Sequence, residues 1–273
     1  MERKVSRGAA IVTGGAGGIG LAISSRLVRE GFSVVVADRD ADAARAAAEG
    51  LGCAWRALDI GQESSVIETV RGVAAEMGGL AAVINNAGIH TQSLVVETSA
   101  EDWDRIHAVN GRGTFLMCRE AARIMAGQGQ GQIVNIVTRL GFGNPFSSVY
   151  MASKSAVAAL TQCLAVEMAA TGVRVNAVAP GHVGPGTGME AAFRRKAEKL
   201  GKTWDEFESQ VVGSIPLGRW CRPEDVAGAV AWLLGPDAEF VTGETISVTG
   251  GFQAYGVAPD GDAVRAAAST ALN

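Results

Sequence analysis

Tyr150 and Lys154 are the ends of the run Tyr-Met-Ala-Ser-Lys. Four residues apart in a helix they share one face, so an ammonium can sit beside a phenol. A free phenol has a pKa of about 10 and exchanges protons poorly at neutral pH; bringing it near 7 needs about 4 kcal/mol. A unit cation about 4 Å away, at an effective dielectric of about 20, supplies about that much. Burial alone pushes the phenol the other way, so the pair works only if the cation wins. Taken alone, Tyr150 and Lys154 read more readily as two ordinary helix residues. A glycine-rich segment near the N-terminus tips the balance toward chemistry.

That segment is Ala-Ala-Ile-Val-Thr-Gly-Gly-Ala-Gly-Gly-Ile-Gly, residues 9–20. The apolar run Ala9 to Val12 breaks into glycines, and Leu21 to Glu30 continues at helical spacing, which predicts a strand, a tight turn and a helix N-terminus. Glycines there let the backbone approach a pyrophosphate, while the helix dipole and free N–H groups attract its charge. Gly15, Gly17 and Gly20 satisfy G-x-G-x-x-G; Thr13, Gly14, Gly18 and Gly20 satisfy T-G-x-x-x-G-x-G. A second strand, Ser33 to Ala37, ends in Asp38, about where an acid meets a ribose 2′-hydroxyl. The chain reads as a dinucleotide binder.

Together these residues resemble the short-chain dehydrogenase/reductase family, in its single-domain branch. The resemblance runs from Ala9 to about Gly251 and includes further landmarks in order: Asp59-Ile60, Asn85-Asn86-Ala87-Gly88, Asn110, Pro180-Gly181 and Gly250-Gly251. It implies a cofactor held by Gly14, Gly17, Gly18, Ile19, Gly20, Asp38, Arg39, Asp59, Ile60, Asn86, Ala87, Gly88, Tyr150, Lys154, Pro180, Gly181 and Val183. Tyr150 is then the general acid/base. Lys154 holds the nicotinamide ribose and lowers the Tyr150 pKa, and Asn110 fixes a water linking Lys154 to solvent.

Composition agrees with one α/β domain over residues 1–273, a size that buries a full core. With 24 Lys and Arg against 28 Asp and Glu, the balance is slightly acidic and offers no basic stripe for nucleic acid. Cys53, Cys118, Cys163 and Cys221 lack metal-ligand spacing and read as free thiols, which favours a reducing compartment; no metal is expected. Charged residues at the N-terminus lead directly into the first strand, so neither a signal peptide nor a membrane span is expected, and cytoplasm is the default.

Strand patterns near 9–13, 33–37, 53–57, 81–85, 132–137, 173–178 and 245–248 alternate with helical patterns near 18–30, 40–49, 63–77, 101–126, 149–170 and 223–234. That alternation predicts a doubly wound, Rossmann-type parallel sheet with ligands at the carboxyl ends of its strands. The stretch 182–217 falls outside it. Its charged part, Met189 to Val212, reads either as a solvated helix face or as a lid hinged by glycines with Phe193, Trp204 and Phe207 turned inward. The resemblance favours a substrate-covering role. The tail 252–273 has no partner in the family pattern. The resemblance implies that the faces of 101–126 and 149–170 form subunit contacts, so a homo-oligomer, dimer or tetramer, is expected.

One catalytic position departs from the family. The strand end Val137-Thr138-Arg139-Leu140-Gly141 carries Thr138 where a serine is usual, while a count back from Tyr150 selects Val137, which has no hydroxyl. Thr138 is preferred, since a one-residue loop deletion reconciles the counts and threonine keeps the hydroxyl. Gly111 follows Asn110 where a branched residue is usual, predicting a local bend, and Thr249 replaces a frequent aspartate. Substrate is expected near His90, Thr138, Leu140, Asn144 and His182, and His107 on the helix surface or at a subunit contact.

Asp38 repels a 2′-phosphate and accepts from a 2′-hydroxyl, so NAD(H) is expected; Arg39 is expected to be engaged by Asp40. The reading that follows is reversible hydride transfer with a small or medium secondary alcohol or ketone, and the resemblance favours a diol or sugar alcohol. Its rivals are a 3-oxoacyl thioester or steroid substrate, and a nucleotide-binding regulatory or scaffold protein that has lost turnover at Thr138.

Overall fold

The computed structural model describes residues 7–139, 145–184, 187 and 189–252. The chain alternates β1 (Ala9–Thr13), α1 (Gly18–Arg29), β2 (Ser33–Asp38), α2 (Ala41–Leu51), β3 (Ala54–Ala57), α3 (Glu63–Met77) and β4 (Ala82–Asn85). It continues through α4 (Ala100–His107), α5 (Thr114–Gln128), β5 (Gly131–Ile136), α6 (Ser148–Met168), β6 (Val173–Pro180), α7 (Glu190–Lys199), α8 (Trp204–Gly213), α9 (Pro223–Leu233) and β7 (Thr245–Val248). The strands form one parallel sheet in the order β3-β2-β1-β4-β5-β6-β7. This is a single-domain Rossmann-type α/β fold. Its order reverses between β1 and β4, which opens a crevice at their carboxyl ends.

Both faces of the sheet are covered, so its strands are apolar on both sides. On one face Ile11, Val35, Val83 and Ile133 pack with Val66 and Val70 of α3 and Met117, Ala121 and Met125 of α5. On the other, Val12, Val36, Ile84 and Val134 pack with Ile23 and Leu27 of α1 and Val226 and Val230 of α9. The helix running Ser148–Thr171 is long and apolar enough to cross a membrane; here α6 lies on the sheet, with Leu164 and Ala165 in its core.

A polar clip fastens β1 to β4 at the crevice. Thr13 Oγ1 accepts from the N–H groups of Asn86 and Ala87, both at 3.0 Å, and the Asn86 amide donates to Thr13 O and Gly14 O, also at 3.0 Å. Across the sheet interior, Asn85 Nδ2 donates to Asn135 Oδ1 at 2.8 Å and Asn135 Nδ2 to Thr161 Oγ1 at 2.9 Å. These bonds engage both Nδ2 groups and Asn135 Oδ1, which would otherwise be costly to bury, while buried Asn85 Oδ1 has no partner among the described residues.

Two helical stretches differ from the expectation. The pattern near 101–126 is not one helix: α4 and α5 are joined by a π-helical turn, Ala108–Gly113, which contains Asn110 and Gly111. Gly113 is needed there, because a Cβ would lie 2.9 Å from Ile60 O. The segment Met189 to Val212 is two helices. Gly201 turns left-handed at φ +64°, and Thr203 restarts the chain with a capping box: its Oγ1 accepts from Glu206 N–H while Glu206 accepts from Thr203 N–H.

Candidate active site

The β1–α1 turn forms one wall of a cavity of about 530 Å³, which extends past β4, β5 and β6 to α7. Gly14 and Gly18 adopt φ +60° and +50°, which a side chain would strain. Gly17 has no neighbour within 4 Å of a would-be Cβ, so its backbone is open to the cavity. Gly20 faces inward instead: a Cβ there would collide with Gly14 O, so it secures helix–strand packing. Helix α1 starts without a side-chain cap or an acidic first turn, leaving its N–H groups for an anion. Asp38 closes this end, with Oδ2 accepting from Ala16 N–H at 3.4 Å and Oδ1 from Asp40 N–H at 3.2 Å. Bare backbone, uncapped dipole and terminal carboxylate are a fit for a dinucleotide.

The α6 face delivers the Tyr150 and Lys154 pair to the cavity floor. Lys154 is 4% exposed, and its ammonium donates to Ile136 O at 2.7 Å. Burial pushes it down to about 8. The Tyr150 phenol is pushed up to about 12 by burial, not down toward neutrality as expected. The ammonium lies 6.0 Å from the Tyr150 ring centroid and is turned to a carbonyl, so within the protein's own atoms desolvation outweighs the cation.

Asn110 lies behind the pair, fully buried. Its Oδ1 accepts from Ile89 N–H at 2.8 Å, and its Nδ2 donates to Ile89 O at 2.9 Å and Ser153 Oγ at 3.0 Å. Both amide hydrogens are thus taken, and the side chain braces the chain beyond β4 against α6. Gly88 fits above: a Cβ there would sit 3.2 Å from Asn110 Oδ1 and 3.3 Å from Lys154 Nζ.

At the end of β5 both Val137 and Thr138 border the cavity. Val137 is buried in a small cluster with Val157, Ala158, Ala177 and Ala179, whereas half-buried Thr138 brings a hydroxyl. Opposite, the His90 ring packs on Tyr150 at 4.6 Å, with Ser147 Oγ 3.4 Å from its Nε2. His182 lies among Phe193, Trp220 and Phe252, with centroids at 5.8, 6.3 and 5.1 Å. Burial, reinforced by Lys196 and Arg195, pushes His90 down to about 4; burial, with Arg139 and Lys196, pushes His182 down to about 3. Both rings are neutral at pH 7.

Of the residues singled out from the sequence, Gly14, Gly17, Gly18, Ile19, Asp38, Asn86, Ala87, Gly88, His90, Thr138, Tyr150, Lys154, Pro180, Gly181, His182 and Val183 border this one cavity. Gly20, Asn110, Asp59 and Ile60 do not border it. Asp59 Oδ1 accepts from Gly61 N–H at 2.9 Å. Arg39 is exposed, and Asp40 does not engage it: Asp40 Oδ1 caps α2, accepting from Asp42 and Ala43 N–H at 3.1 and 3.0 Å. Leu140 and Asn144 lie outside the described residues, as does the tail beyond Phe252. His107 stacks on Trp103 at 4.1 Å, away from the site.

The sequence reading missed Ser147, Arg139, Arg195 and Lys196 on the cavity wall. Arg139, beside Thr138 at a strand's carboxyl end, was the detectable one. The segment Met189 to Val212 has an inward aromatic core, with Phe193 and Phe207 buried and Trp204 packed on them.

A family model described as enoyl-(acyl carrier protein) reductase matches residues 14–253. A short-chain dehydrogenase/reductase of Armillaria gallica is 40% identical over 258 residues, 90% of this chain and 97% of that protein. An NAD⁺-bound xylitol dehydrogenase structure superimposes with a TM-score of 0.85 at 32% identity, over 91% of this chain and 100% of its own. An actinorhodin polyketide ketoreductase variant with NADPH gives 0.87 at 32% identity, over 92% and 100%.

The buried ammonium makes a test of the site's electrostatics. Lys154 titrates near 8 in the folded protein against 10.5 for a free lysine, so the unfolded chain binds more protons between these values and stability rises with pH through that window. Lys154→Met is therefore expected to stabilise the protein without added cofactor by about 1–3 kcal/mol at pH 7. Denaturant unfolding should show this gain undiminished below pH 8 and shrinking toward pH 10.5. A variant less stable than wild type, or a difference independent of pH, would contradict it.

Proposed function

The chain belongs to the short-chain dehydrogenase/reductase family, and from that premise we propose that it is an NAD(H)-dependent dehydrogenase of small secondary alcohols, reversibly forming the ketone. Membership itself carries a nicotinamide cofactor and oxidoreduction of alcohols. The observation that supports the reading most is the common cavity of Tyr150, Lys154 and Thr138 with an uncapped glycine turn.

When bound, the nicotinamide supplies the site that gives or accepts hydride. Gly14 to Gly20 would hold the pyrophosphate, Asp38 the 2′-hydroxyl, Asp59 and Ile60 the adenine side, and Asn86 to Gly88 with Pro180, Gly181 and Val183 the nicotinamide end. Tyr150 Oη exchanges the proton of the substrate oxygen, and Thr138 Oγ1 aligns that oxygen by a hydrogen bond. Lys154 holds the ribose and draws the phenol down from the high value that burial gives it. Asn110 keeps Ser153, and with it this turn of α6, in register. The segment 182–217 covers the substrate: Thr187 comes within 3.9 Å of a Cβ at Gly18, and Lys199 Nζ donates to Gln92 O at 2.9 Å. Exposed Trp103, Phe115 and Val166 on α4, α5 and α6 support pairing with a second copy.

Two measurements test this reading. Initial rates with either cofactor should give kcat/KM at least about tenfold higher for NAD⁺ than for NADP⁺, because a 2′-phosphate meets the Asp38 carboxylate; parity would remove Asp38 from cofactor choice. Thr138→Val should lower kcat/KM by about 10²-fold, as the loss of other aligned donors does. If wild type binds NADH yet turns over no alcohol in a broad panel, the non-catalytic alternative takes over.

A further inference from the structure

Three cations line the alcohol end of the cavity. Arg139 follows Thr138 on the β5 end, and Arg195 and Lys196 project from α7. Lys196 and Arg195 act electrostatically on His90, whose ring rests 4.6 Å from that of Tyr150. Lys196 and Arg139 act together on His182, two residues past Pro180. Among the described lining residues Asp38 is the acidic one, and it closes the opposite, glycine-turn end. Arg139 is held in place, its guanidinium 4.0 Å from the Phe252 ring centroid.

We infer that the substrate is a secondary alcohol or ketone bearing an anionic group, carboxylate or sulfonate, held by Arg139, Arg195 and Lys196 a few bonds from the reacting carbon. This rests on the alcohol dehydrogenase reading and narrows its substrate class.

Burial pushes Lys196 down to about 8, and nearby Arg139 pushes in the same direction; burial likewise pushes Arg139 down to about 10. Half-buried Arg139 and Lys196 raise the cost of holding two cations together, with exposed Arg195 at the rim, and an anion between them reverses its sign. The rigid guanidinium fork suits two oxygens of one oxyanion, whereas the lysine adds a point charge. The neutral imidazoles beside them add hydrogen-bonding capacity without further charge. A neutral polyol uses none of this.

The test is calorimetric binding to the full chain saturated with NADH, where an alcohol forms a complex without turnover. The probes are 4-hydroxypentanoate, its uncharged amide, and 4-hydroxypentane-1-sulfonate. The carboxylate or the sulfonate should bind at least about tenfold more tightly than the amide, and whichever binds better identifies the oxyanion. The advantage should narrow in high salt. It should fall to about threefold or less in Lys196→Gln and in the rim variant Arg195→Gln, and return in Lys196→Arg. Equal binding of the amide, no binding of either anion, or an advantage that survives both glutamine variants overturns the inference. Loss of NADH binding, or no turnover of any alcohol, instead overturns the dehydrogenase reading on which it rests.

Discussion

The ammonium of Lys154, set beneath the cavity floor with the Ile136 carbonyl as its acceptor, constrains everything around it. A lysine in that position is costly, because desolvation favours its neutral form. The same surroundings drive the neighbouring phenol upward. A Tyr–Lys pair thus held is poised: the phenol stays protonated until added charge or altered solvation of the cleft changes the balance. The cation that the sequence required to outweigh burial is present, and the burial that orients it opposes it.

The fold supplies the rigidity this requires. Parallel pairing of β1, β4 and β5 brings three strand ends to one crevice, and the Thr13–Asn86 clip fixes the first two. Behind α6 a π-helical turn brings Asn110 to a place where one side chain ties Ile89 to Ser153. An uninterrupted helix over the same residues would distribute its side chains at a different spacing. On the other side, α7 and α8 pack through an aromatic core around Phe193 and Phe207 that reaches His182 and Phe252.

The doubly wound parallel sheet, the glycine turn and the Tyr150–Lys154 pair were legible because each is written in local spacing: apolar runs alternating with helical patterns, a glycine pattern and an i, i+4 pair. Of the two alternatives at the β5 end, Val137 packs in a buried cluster while Thr138 carries a hydroxyl at the cavity. What escaped depends on orientation. The α7 charges look alike in sequence, yet Arg194 pairs with Glu190 while Arg195 and Lys196 border the cavity. That difference comes from packing Ala192, Phe193 and Ala197 inward. Asp40 likewise became a helix cap, a role set by where α2 begins. The π-turn had a single sequence sign, Gly111 next to Asn110, and a bend was as much as that sign could give.

The most direct test is titration of Tyr150 by ¹³C NMR with tyrosine labelled at Cζ, assigned with a Tyr255→Phe variant, since Tyr150 and Tyr255 are the chain's two tyrosines. Without cofactor, the Tyr150 resonance should titrate near 12. Saturation with NAD⁺ should move it down by about two units or more, as a proton exchanger working near neutral pH requires. A resonance that titrates at the ordinary value of about 10 in both conditions would contradict the account.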